Sequence, residues 1–252
     1  QGKDTSITIY LNPTLRLSVS VPDTILCDSS TLHITVNDDL QNVQGTKKYF
    51  LTTTNAAGNV LGVTPSGEYD AGTDINDNLI NLTNQVQVVT YTFRPRIDDP
   101  RNGNTPFCNN GKDTTLTIYI NPTPRLSVSV PDTILCDSST LTITVNDLNG
   151  LVQGDKVYQL TTSQSGGVLN VQPSGEYPAG TDISNQLINT TNEVQTVTYH
   201  FKARIKDTRT GGFGFCDQGK DTSITIYLNP TPRLSGSVPD TILCDSSPLH
   251  IT

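Results

Sequence analysis

Cysteine is the residue type here with the most reactive chemistry, and its placement is regular. Five cysteines fall in two contexts. Cys27, Cys136 and Cys244 each stand in DTILCDSS, while Cys108 and Cys216 stand in PFCNNGKD and GFCDQGKD. No Cys-x-x-Cys pair, histidine partner or four-ligand spacing accompanies them, which sets zinc binding and dithiol redox catalysis aside. Cysteines recurring at fixed repeat positions read instead as a disulfide framework in an oxidising compartment.

The other chemistry-bearing residues argue against an enzyme. His33 and His250 share one repeat position, where the intervening repeat has Thr142, and His200 stands alone. All three fall on polar strand faces, an ordinary place for a solvated histidine. Gly-x-Ser-x-Gly, a phosphate-binding glycine loop and His-Glu-x-x-His are absent from the sequence. Acidic clusters at Asp38–Asp39, Asp70–Asp77 and Asp98–Asp99 make calcium the one candidate ion, since calcium needs several converging oxygens. The second repeat dissolves them: Leu148, Pro178, Asn185 and Lys206 replace Asp39, Asp70, Asp77 and Asp98. Phe50 gives way to Gln159, so the repeats share no aromatic sugar platform there. The expectation is therefore no catalytic, cofactor-binding or metal residue. The variable loop before the last strand, DDPRNGNTPF against KDTRTGGFGF, is the best binding candidate.

What must position the cysteines is a long internal repeat. QGKDTSITIYLNPTLRLSVSVPDTILCDSSTLHITV at Gln1 returns at Asn110 and again at Gln218, offsets of 109 and 108 residues. That period is far beyond a solenoid and close to the ~100 residues of an immunoglobulin-like sandwich. Asn-Pro-Thr at Asn12, Asn121 and Asn229 marks each seam, because proline fixes φ and cannot donate to a ladder. The expected organisation is residues 1–12 as the last strand of a preceding domain, domains at 13–121 and 122–229, and 230–252 as the start of a following one. The chain is expected to be a piece of a longer array.

Within each repeat, apolar and polar residues alternate with the period of a strand. Leu17, Val19 and Val21 share one face; so do Leu32, Ile34 and Val36; so do Leu116, Ile118 and Ile120. Val89, Tyr91 and Phe93 line a strand placed before an Arg94–Lys112 loop. Two sheets can bury these faces against each other, with about seven strands per domain. Tyr91 and Tyr199 sit where such sandwiches carry a tyrosine corner. The expected fold class is all-β, with tandem immunoglobulin-like β-sandwiches arranged head to tail.

Two cysteine pairings follow. Pairing within a domain, Cys27–Cys108 and Cys136–Cys216, is the default and would contribute about 3–5 kcal/mol in the chain-entropy model. Topology offers an alternative. The first turn lies at the bottom of a sandwich and the last hairpin at its top, which in a head-to-tail array favours Cys27–Cys216 across the seam.

Composition closes off some partners. A net charge of −8 argues against nucleic acid as a partner, since phosphate binding needs a basic face. No apolar run approaches the ~18 residues that span a bilayer, so this segment is expected not to insert in a membrane. At 34% hydrophobic the chain suits small domains with thin cores.

The series DTILCDSS, LINTTNEVQTVTYHF and FCDQGKDTSITIYLNPTPRL resembles the PKD-like repeats of giant Bacteroidetes cell-surface adhesins, the flavobacterial gliding-motility type among them. The resemblance covers the whole chain. It implies export across the outer membrane, an extracellular location at the cell surface, and adhesion. It also implies O-glycans at Asp-Thr sites, here Thr24, Thr114, Thr133 and Thr241. Asn81-Leu82-Thr83 and Asn189-Thr190-Thr191 fit the eukaryotic N-glycan sequon, which a bacterial origin would make irrelevant. The functional expectation is the stalk of a surface adhesin or extracellular filament. Its partners would be neighbouring repeats, with a surface polysaccharide or protein ligand as a further candidate. The rival readings are repeated weak binding modules acting by avidity, accessory domains of a secreted enzyme, and a laterally assembling filament.

Overall fold

A computed structural model describes residues 2–39, 41–55, 58–103, 105–209, 211–212 and 214–237, with backbone only at 102 and 105–107. Among the described residues its regular elements include β-strands and a one-turn 3-10 helix at Pro100–Asn102.

The first repeat begins with β1 (Leu17–Ser20), β2 (Ile25–Leu26), β3 (Ser30–Asp38), β4 (Thr46–Asn55) and β5 (Val60–Leu61). It continues through β6 (Gly67–Asp70), β7 (Ile75–Asn81), β8 (Gln87–Asp99), β9 (Thr105–Cys108) and β10 (Thr114–Ile120). One sheet runs β1-β3-β7-β5 and the facing one β2-β10-β8-β4-β6, with β9 folded back on β8. The second repeat copies the plan as β11 (Leu126–Ser129), β12 (Ile134–Leu135), β13 (Thr140–Asp147), β14 (Asp155–Gln164), β15 (Val168–Leu169) and β16 (Gly175–Pro178). β17 (Ile183–Gln186), β18 (Ile188–Asn189), β19 (Gln195–Lys206), β20 (Phe215–Cys216) and β21 (Thr222–Leu228) complete it.

The alternation read from sequence is what closes each sandwich. Leu32, Ile34 and Val36 of β3 meet Tyr49 and Leu51 of β4, Val89, Tyr91 and Phe93 of β8, and Ile118 and Ile120 of β10 in one core. Their counterparts Leu141, Ile143, Val145, Tyr158, Leu160, Val197, Tyr199, Phe201, Ile226 and Leu228 form the other. Tyr69 stacks on Tyr49 at 5.5 Å between centroids and Tyr49 meets Phe93 tilted at 5.4 Å, and Tyr177, Tyr158 and Phe201 repeat this at 5.6 Å each. Such contacts add to the area burial that dominates a small core.

Several expectations change. Among the described residues the repeats contain ten and eleven strand segments rather than about seven. The first strand splits between sheets, β1 pairing with β3 while β2 runs parallel to β10. Nor does the strand carrying Tyr91 stop at Arg94. β8 continues to Asp99, because Pro95 and Ile97 keep the buried alternation and Pro95 lies beyond the last β10 pair, Thr114↔Phe93, where no ladder needs its missing N–H. Residues 2–12 carry the same Thr-Ser-Ile-Thr-Ile-Tyr-Leu as β21 yet form no strand, leaving Ile7, Ile9 and Leu11 84, 85 and 96% exposed. A single strand without a sheet has no ladder and no cover for its apolar face. Residues 238–252, with Cys244, Thr241 and His250, lie outside the described residues.

Candidate functional site at the seam between the repeats

The cysteines decide which part of the molecule is special. Cys27 follows β2, whose Leu26 pairs with Ile120 at the exit end of β10, and Ile120 in turn pairs with Gln87 of β8. Cys108 pairs with Ile97, ten residues further along β8. At ~3.3 Å per residue the two lie roughly 33 Å apart along the strand, whereas a disulfide needs Cα atoms about 4.4–6.8 Å apart. The default pairings Cys27–Cys108 and Cys136–Cys216 are therefore corrected. The structure joins Cys27 to Cys216 across the seam, with Cα atoms 5.3 Å apart. Cys108 and Cys136 are free.

The bridge sits in its own apolar cluster with Ile205, against which Val152 packs; Cys27 and Cys216 are 7% and 0% exposed. β20 delivers Cys216 by pairing with β19, Ile205 opposite Cys216. The loop between these strands supplies a second attachment. Arg209 donates from Nη2 to both oxygens of Asp23 at 3.0 and 3.1 Å while its Nε holds Asp207 of its own loop at 3.1 Å. The bidentate pair is with Asp207, through Nε and Nη2, and it fixes the orientation in which the guanidinium meets Asp23. The loop that sequence marked as a ligand-binding candidate thus spends its arginine and cysteine on the neighbouring repeat.

The linker is clamped along its length. Asn121 is fully buried; its Nδ2 donates to Gln153 O at 2.9 Å and its Oδ1 accepts from Gln153 N at 2.7 Å. Asp28 accepts from Asn81 N at 2.9 Å and from the hydroxyl of Thr123. Arg125 N donates to Asn149 Oδ1 at 2.7 Å, and Asn149 Nδ2 to Thr123 O at 3.0 Å. Gly219 lies so close to the linker that a Cβ there would stand 2.3 Å from Pro124 O. A third attachment is backbone to backbone: Gly150 N to Asn84 O at 2.8 Å and Val86 N to Leu151 O at 2.7 Å.

The remaining candidates are placed elsewhere. His33 bonds Asn76 at 2.6 Å on an exposed strand face. His200 lies between Ser223 Oγ at 2.9 Å and Asp221 at 3.3 Å, a trio the sequence reading missed because its members are about 20 residues apart and meet only through the β19–β21 register. The histidine and the aspartate are 40 and 46% exposed, so the trio stands in solvent rather than in a water-excluding cleft. Of the acidic clusters, Asp38 pairs with Lys47, buried Asp77 accepts from Tyr91 and Thr64, Asp98 lies between Arg96 and Lys48, and Asp99 holds Arg101. Among the described residues no three His, Cys, Asp or Glu side chains converge as a metal site would need.

Tyr91 makes no tyrosine corner with a loop carbonyl; its hydroxyl donates to the Asp77 carboxylate at 2.5 Å. Asn81 and Asn189, the sequon asparagines, are 6% exposed and give both amide hydrogens to backbone carbonyls, so neither presents an amide to a glycan. Thr24 and Thr114 are half-buried and Thr133 is exposed.

Antiparallel-rich strands packed in facing layers around one core per repeat, the second repeat's smaller layer being split into β11-β13-β17 and β15-β18, define an immunoglobulin-like β-sandwich protein. Residues 24–124 match the family model of the PKD-like domain, which covers nearly all of the first sandwich. No curated protein matches in sequence. Solved structures that resemble the chain do so distantly. Escherichia coli alpha-2-macroglobulin in its native conformation is 9% identical with a TM-score of 0.32, over 89% of this chain and 18% of that one. The D0–D1 domain of intimin is 10% identical at 0.27, covering 84% and 97%. The Salmonella enterica SafA pilin in complex with the SafB chaperone is 8% identical at 0.32, covering 85% and 97%. This chain spans about a fifth of the alpha-2-macroglobulin chains it matches.

Proposed function

We propose that this chain is a stalk segment of a long extracellular surface protein, which transmits load through its seam and holds a binding region at a distance. The observation that carries the reading is the Cys27–Cys216 bridge between consecutive repeats. A flexible tether has no use for a linker bonded along its length, or for a covalent bridge beside it. A disulfide also suits the oxidising world outside the cell.

The bridge changes how tension travels. Its cysteines are 189 residues apart in sequence. A pull on the chain ends passes through the sulfurs and leaves the enclosed residues, most of both cores, outside the load path. Single-molecule stretching of the intact chain tests this. Adding a reductant should release an extra length of roughly 650 Å, at ~3.4 Å per freed residue. Equal extension with and without reductant would sink the reading.

A second reading, repeated weak binding acting by avidity, is favoured by one observation. The same cleft recurs in both repeats, about 480 Å³ beside Arg16, Lys112 and Thr114 and about 440 Å³ beside their counterparts Arg125, Lys220 and Thr222. Asp113 also lines the first cleft but is paired with Arg94, and the remaining cations and hydroxyl suit an anionic polysaccharide.

A further inference from the structure

Resting on the stalk reading, we propose that Cys136 and Cys108 are the open halves of this same bridge at the two flanking seams, each joined to a neighbouring repeat of the same kind. A free thiol alone would say nothing. Here the rest of the interface is already half assembled around each one.

At the far end of the second repeat, Asp137 accepts from Thr231 at 2.5 Å and from Asn189 N at 2.8 Å, as Asp28 does from Thr123 and Asn81 at the closed seam. Tyr227 N reaches Thr133 O at 2.7 Å and Asn229 N reaches Leu135 O at 2.8 Å, copying Tyr119 to Thr24 and Asn121 to Leu26. Asp132 caps Ile134 N at 2.9 Å as Asp23 caps Ile25 N, and is exposed where an arginine like Arg209 would arrive. At the near end of the first repeat, Asn12 and Gln44 exchange the two hydrogen bonds that Asn121 and Gln153 exchange at the seam, at 2.8 and 2.7 Å. Arg101 grips Asp99 as Arg209 grips Asp207, but it is 79% exposed against 38% for Arg209, which also holds Asp23.

The thiols differ from the bonded pair in the same sense. Cys136 is exposed and Cys108 half-buried, where Cys27 and Cys216 are buried by each other's repeat. The occupant that fits the open face at Cys136 is thus a PKD-like sandwich offering a hairpin cysteine and a loop arginine. A repeat offering a DTILC cysteine and its aspartate fits the face at Cys108.

Each bridge forms by thiol–disulfide exchange. A protein thiolate attacks a small-molecule disulfide, forming a mixed disulfide and releasing one small thiolate. The second protein thiolate then attacks the protein sulfur of the mixed disulfide and displaces the other small thiolate. The two cysteines lose two protons and two electrons, and the small molecule leaves as two thiols. Cys108 and Cys136 both lie inside the loop closed by Cys27 and Cys216. Their bridges would leave that loop in opposite directions, so successive loops interlace. Bridges at alternate seams form one load path and the remaining bridges a second.

The test inserts a further copy of residues 122–229 after Asn229 of the full chain, oxidises it with glutathione disulfide, alkylates free thiols and maps the bridges by non-reducing proteolysis and mass spectrometry. The expected result is Cys136 linked to Cys216 of the inserted copy, with loss of its alkylation; C136S should keep only the original bridge. Full alkylation of Cys136, or its capture by another cysteine, with Cys27–Cys216 intact overturns this inference and leaves the stalk reading standing. An open Cys27–Cys216 as well would strike down both.

Discussion

At the scale of single residues, the buried hydroxyls set the alkaline limit of the fold. Burial pushes Tyr49, Tyr158 and Tyr199 up to about 12, and burial together with the Asp77 carboxylate raises Tyr91 further. Because the folded values exceed the unfolded one near 10, the stabilisation is complete below about pH 10 and lost as pH rises through about 12. Tyrosinate absorbance and circular dichroism should therefore change together in one cooperative step in that window. Smooth ionisation of all nine tyrosines with the fold retained would contradict this. Sequence placed Tyr91 on an inward strand face but did not find its partner, since the repeats differ at the facing position, Asp77 against Asn185.

At the scale of elements, the arm made of β19, β20 and the loop between them is the working part. Gly219, just after it, lies against the linker, where a methyl would meet Pro124 O at 2.3 Å and Ala203 Cβ at 3.5 Å. Gly219→Ala should cost roughly 1–3 kcal/mol of overpacking in urea unfolding, and Gly2→Ala, with nothing within 4 Å, should cost nothing measurable. Equal midpoints for the two variants would show that the linker is not held as described. The strands themselves were legible because a period of two forces one face inward. The run of β8 past Pro95 and the return of β9 were not, because they depend on where β10 stops pairing.

At the scale of the whole molecule, the two functional readings make different demands. A stalk needs only the seam; a binder needs its clefts filled several at a time. If the clefts bind, a sulfated polysaccharide should hold the two-repeat chain about 10²-fold or more tighter than the variant R125A/K220A, which keeps a single intact cleft. No retention of the intact chain on such a polysaccharide leaves the stalk reading alone. The substitutions spare the hydrogen bonds that Arg125 makes at the seam, since these use its backbone N and O alone.

The sequence alone determined the repeat, its period, the all-β class, the inward faces of the strands and a disulfide framework, because these are properties of spacing along the chain. The partner of Cys27 was different. Both candidate partners, Cys108 and Cys216, occupy the same repeat position, so no local signal separates them. The tertiary structure chose: Cys108 lies a strand's length away along β8, and head-to-tail stacking brings the top of the next sandwich, with Cys216, against Cys27.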